Sequence, residues 1–128
     1  MFNERKLELA TDFYQLSVGN VYVQNGMQDN VGVFDVFIRR NPFNGGYTVF
    51  AGTEQIIEYI ENLKFTDADI DMLHRNHPEL CDEYLEYLRN FKFTGDIYTL
   101  HEGTIFFPME PIVRIKAPML QAHIIETP

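Results

Sequence analysis

Apolar residues recur at helical spacing through much of the first three quarters of this chain, then give way to short β-rich runs. Tyr14, Val18, Val21 and Tyr22 share one side of a 3.6-residue period. Thr11 or Asp12 stands where an N-cap belongs, Gln15 follows Asp12 by three places, and Gly26 supplies a stop. The pattern predicts a helix over about residues 12–25. Residues 31–38, Val-Gly-Val-Phe-Asp-Val-Phe-Ile, are apolar on both parities, which predicts a strand covered on both faces or nearly so. Tyr47 to Ala51 reads as a second strand. Thr53 opens a helix with Ile56, Ile57, Ile60 and Leu63 on one face, and Thr66 with Asp69 makes a capping-box start for a helix to about residue 76. Pro78 lies near the start of another, striped by Leu80, Tyr84, Tyr87, Leu88 and Phe91.

Gly95 ends the helical part. Residues 97–100, 104–107, 112–115 and 123–125 are β-runs punctuated by Gly103, Pro108, Pro111 and Pro118. Helices and strands are segregated, so the class is α+β. At 128 residues the chain has the length of one domain with its own core. It ends just after an apolar run, as sequences cut in mid-protein often do.

Charge narrows the function classes. The formal net charge is −9, against the basic surface that a general nucleic-acid binder needs, so no nucleic-acid partner is expected. No apolar run approaches about 18 residues and the N-terminus lacks a secretory apolar core, so no membrane partner is expected either. The one cysteine, Cys81, has no internal partner, which fits the reducing cytoplasm.

Against that acidic background, the segment from Phe37 to Gly52 carries the most information. β-formers end in Arg39 and Arg40, a loop built on Pro42, Gly45 and Gly46 follows, and a second β-run begins at Tyr47. Adjacent arginines beside a permissive loop suit a phosphate or carboxylate. The plainer alternative is a hairpin with solvated arginines. A helix N-terminus attracts anions, and Asp12 and Tyr14 at the entry to the first helix offer an acceptor and a flat π-face. Other constellations carry less. Asp67, Asp69 and Asp71 resemble the opening of a calcium loop, but the sixth and twelfth positions hold Met72 and Pro78, so helix capping is the better reading. His74, His77 and Cys81 match no structural zinc spacing. Glu102 sits in a turn as a weak catalytic candidate. No metal ligands and no catalytic acid, base or nucleophile are expected in this chain.

Thr11-Asp12-Phe13-Tyr14-Gln15-Leu16, residues 37–47, Phe50-Ala51-Gly52, Gly95-Asp96-Ile97-Tyr98, Glu102-Gly103-Thr104, Phe107-Pro108-Met109-Glu110-Pro111 and Glu126-Thr127-Pro128 together resemble the nicotinate phosphoribosyltransferase family, in its order and at its spacing. The resemblance implies the N-terminal domain of a type II phosphoribosyltransferase, with helices beside a mixed or antiparallel sheet region of alpha/beta-hammerhead kind. It implies that residues 1–128 are this domain, truncated before an α/β barrel. The reaction implied joins nicotinate to phosphoribosyl pyrophosphate in NAD salvage, coupled to ATP hydrolysis. Mg2+ and ATP would serve the full-length parent, with no cofactor bound by this chain alone. A homodimer is implied, in which this domain of one subunit completes the site of the other. By position, Tyr14 corresponds to a tyrosine stacking on the pyridine ring and Asp12 to the aspartate beside it. Arg39 and Arg40 correspond to a basic pair near phosphate or pyrophosphate. Two alternatives stay open: a non-catalytic interaction module of the same fold, and a relative acting on nicotinamide or quinolinate. His101 and Ala117 depart from the family's usual Pro and Gly, which bears on turn geometry rather than on the substrate site.

Overall fold

The computed structural model describes residues 9–127. In chain order the elements are α1 (Phe13–Gln24), β1 (Val31–Val36), a 3-10 turn (Pro42–Asn44), β2 (Thr48–Val49), α2 (Thr53–Asn62), α3 (Asp67–Asn76), α4 (Asp82–Arg89), β3 (Asp96–Thr99), β4 (Ile105–Phe106), β5 (Val113–Pro118) and α5 (Met119–Ile124). An antiparallel sheet of order β1-β5-β3 and a two-stranded β2-β4 pair accompany the helices, so the chain is α+β.

β5 is the centre of the larger sheet, and its alternation sets the layers. Val113, Ile115 and Ala117 point into the core, while Arg114 and Lys116 point out. Tyr84, Leu88 and Leu120 are the most deeply buried side chains and join α4 and α5 in that core. α1 packs on α5 and α4. Gly19 allows the approach: a Cβ there would lie 2.5 Å from the Tyr84 hydroxyl and 2.9 Å from Leu120 Cδ1. Gly95 does the same for the sheet, since a Cβ at that position would lie 2.4 Å from the Ala117 methyl. The departure at Ala117 is thus accommodated by the glycine beside it.

Thr66 and Asp69 form the expected capping box, with the Thr66 N–H donating to Asp69 Oδ2 at 2.8 Å and the Asp69 N–H to Thr66 Oγ1 at 3.3 Å. Several expectations are corrected. Residues 123–125 are not a strand, because α5 runs through Ile124 and buries Leu120, Ala122 and Ile124. β1 is not covered on both faces: Val31 and Val33 are 63% and 59% exposed. β1 is an edge strand, and only the side bearing Gly32 and Phe34 faces the core. The open side also carries Tyr98 and a forked Asp35–Arg114 pair, in which Arg114 donates at 2.7 and 2.8 Å.

α1 has the expected bounds but a different buried side. Gln15, Leu16, Gly19 and Asn20 are buried, while Tyr14 and Val21 of the anticipated stripe are each 51% exposed. The buried amides explain this choice. Asn20 bridges α1 to the segment before α4, donating to the Glu79 carbonyl at 3.1 Å and accepting from the Cys81 N–H at 2.9 Å. α4 itself starts at Asp82, with Pro78 and Leu80 in the turn before it.

Candidate functional site

No hairpin forms around the two arginines. β1 pairs with β5 and β2 with β4, so the strands flanking residues 37–47 lie in different sheets. The connection is instead shaped by Asn41, which donates to the Gly45 carbonyl at 3.0 Å and accepts from Thr48 Oγ1 at 3.1 Å. Phe43 and Asn44 take φ of 56° and 54°, a region rarely used by an aromatic residue, and the Phe43 side chain is fully exposed. Arg39 and Arg40 are exposed at the base of this loop, and neither has an ion pair among the described residues. By contrast, Arg89 and Arg114 are both held by carboxylates.

Tyr14 stands in the first turn of α1, half-exposed. Its ring lies at right angles to that of His123, with centroids 5.7 Å apart. His123, at the end of α5, also meets Tyr22 at 5.9 Å. The His123 ring is buried, and that desolvation pushes its pKa below the ordinary histidine value, opposed by the Glu126 carboxylate 3.6 Å from Nδ1. Gln15 does not close a capping box with Asp12. Its buried amide holds the end of the chain instead, donating to Glu126 Oε2 at 3.3 Å and accepting from Thr127 Oγ1 at 2.6 Å and from the Thr11 hydroxyl. Asp12 has the extended backbone of an N-cap, and its carbonyl accepts from the Gln15 N–H at 3.0 Å. Its carboxylate caps nothing and is unpaired among the described residues.

The chain does not bring the arginines to this tyrosine. Arg39 and Arg40 follow the Val36 end of β1, whereas the Val31 end pairs with Pro118 where α5 begins. Among the described residues, no hydrogen bond, ion pair or ring contact joins Arg39 or Arg40 to Asp12 or Tyr14. The four residues form two separate exposed patches. Sequence reasoning does not bring His123 and Glu126 to Tyr14, because it places residues 123–125 in a strand. The spacing of Leu120 and Ile124 after Pro118 was the available helical signal.

Glu102 has a structural role. Its Oε1 accepts from the N–H groups of Gly52 at 2.9 Å and Thr53 at 2.7 Å, capping α2 from a distant turn. These bonds hold its carboxyl below the usual carboxylate range, so it is ionised and poorly suited to donate a proton. Glu102→Gln should lower the thermal midpoint. Because the folded pKa is depressed, the contribution of Glu102 is complete above an unfolded value of about 4.5 and is lost as pH falls through the folded value. The gap in melting temperature between wild type and variant should therefore close in acid; a gap that widens in acid would contradict the capping role.

A shallow cleft of about 710 Å³ lies along α2, lined by Glu54, Glu58, Glu61 and Glu102 together with Gly52 and Thr53. Its acidic wall repels carboxylates and phosphates, so it does not suit an anionic substrate. His77 stacks on Phe13 at 4.2 Å and has Glu79 at 3.4 Å. Among the described residues no group of three or more His, Cys, Asp or Glu side chains could hold a metal ion, and no helix is long and apolar enough to cross a membrane.

Comparison with known proteins gives a consistent result. The profile of the nicotinate phosphoribosyltransferase (NAPRTase) N-terminal domain matches residues 9–128. Nicotinate phosphoribosyltransferase of Bacillus subtilis is 43% identical over 126 residues, covering 98% of this chain and 26% of that protein. The Caenorhabditis elegans protein of the same name is 41% identical over 123 residues, covering 93% of this chain and 22% of that protein. The crystal structure of human nicotinic acid phosphoribosyltransferase superimposes with a TM-score of 0.84 at 29% identity, covering 92% of this chain and 24% of that one. The chain thus spans about a quarter of the length of these relatives.

Proposed function

Because this chain belongs to the nicotinate phosphoribosyltransferase family, matching its N-terminal domain across residues 9–128, we propose that it is the substrate-facing N-terminal part of an enzyme of NAD salvage. That enzyme joins nicotinate to phosphoribosyl pyrophosphate, giving nicotinate mononucleotide and pyrophosphate, with ATP hydrolysis coupled to the step. Tyr14 stacks on the pyridine ring, Asp12 accepts a hydrogen bond beside it, and Arg39 with Arg40 meets phosphate or pyrophosphate. The contribution is orientation and electrostatics rather than proton transfer. The observation that carries this reading is Tyr14 itself: an aromatic ring left half-exposed in the first turn of α1, two residues after an Asp12 carboxylate that is unpaired among the described residues, and packed against a buried ring.

The separation of the two patches supports a composite site. Tyr14 and the arginines face substrate only together with protein beyond these residues, either the rest of the same chain or that of a second subunit. The parent is accordingly proposed to act as a homodimer, in the cytoplasm. ATP and Mg2+ are proposed to serve the parent enzyme outside these residues, since the cleft along α2 is walled by carboxylates that repel a nucleotide's phosphates.

Two assays test the proposal. The 128-residue chain alone should form no nicotinate mononucleotide, while the full-length protein should. In the full-length protein, replacing Arg39 and Arg40 together by alanine should raise KM for phosphoribosyl pyrophosphate roughly tenfold or more, since hydrogen bonds to charged groups contribute about 1.5–3 kcal/mol. KM for nicotinate should change little. An unaltered KM for phosphoribosyl pyrophosphate would remove the arginines from the site.

A further inference from the structure

His123, like Tyr84, carries a buried polar atom with no hydrogen-bond partner among the described residues. His123 is 7% exposed, and the unpartnered atom is its Nε2. A buried polar atom left unpartnered is destabilising, and an apolar ring of similar size would pack there without that cost. The imidazole nevertheless fills the space between Tyr14 and Tyr22, nearly perpendicular to both rings at 85° and 73°. Perpendicular rings at such distances attract through their quadrupoles and fix one another's tilt. The His123 ring is itself constrained: its Nδ1 faces Glu126, and Glu126 is gripped by the buried amide of Gln15, the residue that follows Tyr14. The chain of contacts Gln15–Glu126–His123–Tyr14 therefore returns to the helical turn where it began.

We infer that His123 is the positioning residue for Tyr14, setting the tilt of the tyrosine ring from behind while its exposed face receives the pyridine. Glu126 and Gln15 serve as the brace that holds His123. This inference rests on the stacking role proposed for Tyr14 and adds the residues that act through it. It also explains why the segment Glu126-Thr127 is tied to α1 and not left loose, since Thr127 Oγ1 donates to Gln15 at 2.6 Å.

A double-mutant cycle in the full-length protein provides the test. His123→Ala should raise KM for nicotinate about threefold to tenfold, the scale of one aromatic pair, and leave KM for phosphoribosyl pyrophosphate within about twofold. His123→Phe, which keeps a ring, should restore most of the loss. Because His123 acts through Tyr14, adding His123→Ala to Tyr14→Ala should cost nothing further. Additive effects, or equal losses toward both substrates, would reduce His123 to a packing residue and overturn the inference. If His123→Ala does not fold, Glu126→Gln, a change at an exposed position, carries the same cycle: it should weaken nicotinate binding only while Tyr14 is present. A response to Tyr14→Ala with none to any His123 or Glu126 variant overturns this inference alone. No response to Tyr14→Ala overturns the stacking role and, with it, the positioning role.

Discussion

Tyr14→Ala in the full-length protein is expected to raise KM for nicotinate roughly tenfold or more, with a smaller change in KM for phosphoribosyl pyrophosphate. Stacking of a heteroaromatic base on a protein aromatic ring contributes about 1–3 kcal/mol by alanine substitution, which sets this scale. Tyr14 can supply it because half of its surface is free while the rest is backed by His123. Tyr14→Phe keeps the ring and should keep nearly all of the affinity, since the claimed interaction uses the π-face. Steady-state kinetics with each substrate varied in turn separates the outcomes. Kinetics unchanged by Tyr14→Ala would exclude stacking, and a loss with Tyr14→Phe equal to that with alanine would move the role to the hydroxyl.

Leu120→Ala is expected to cost about 2–5 kcal/mol of stability, as fully buried leucines do when truncated. Leu120 has no exposed surface, lies on α5 and reaches the close contact between α1 and α4 at Gly19. Chemical denaturation should show a lower midpoint with little change in slope. The loss should also reach the site, because α5 carries His123 and so the backing of Tyr14. A cost below about 1 kcal/mol would mean that α5 is not part of the cooperative core.

These two residues illustrate what the sequence makes legible. Local signals were sufficient where local chemistry decides: α1 ends where Gly26 stops it, and Thr66 with Asp69 caps α3 as the spacing indicates. The α+β class followed from the change of pattern after Gly95. Local signals failed where partners distant in sequence decide. Ile124 and Ile125 are β-branched and suggest a strand, yet the six-residue α5 is stabilised by packing against α1 and β5, which no propensity records. The apolar stripe of α1 does not predict its buried side because Gln15 and Asn20, both polar, are buried there and satisfied by groups far along the chain. β1 read as doubly covered because its residues are apolar on both parities. Its open side, with Val31, Val33 and Tyr98, has no cover within these residues.

The candidate site was partly legible for a related reason. Local chemistry and family resemblance single out Tyr14, Asp12, Arg39 and Arg40 as candidates, and each is exposed. Their arrangement was not legible, because the arginines lie past one end of β1 and the tyrosine packs on α5. The brace behind Tyr14 depends on contacts spanning more than a hundred residues of chain, from Gln15 to Glu126, and is visible only in the fold.

The most direct test of the central claim is a crystal structure of the full-length protein with nicotinate bound. The Tyr14 ring should lie flat against the pyridine, with Asp12 beside it and His123 still perpendicular behind it. Nicotinate bound wholly among other residues, with no atom of Tyr14 or Asp12 in contact, would contradict the claim that this chain forms the pyridine-facing wall of the site.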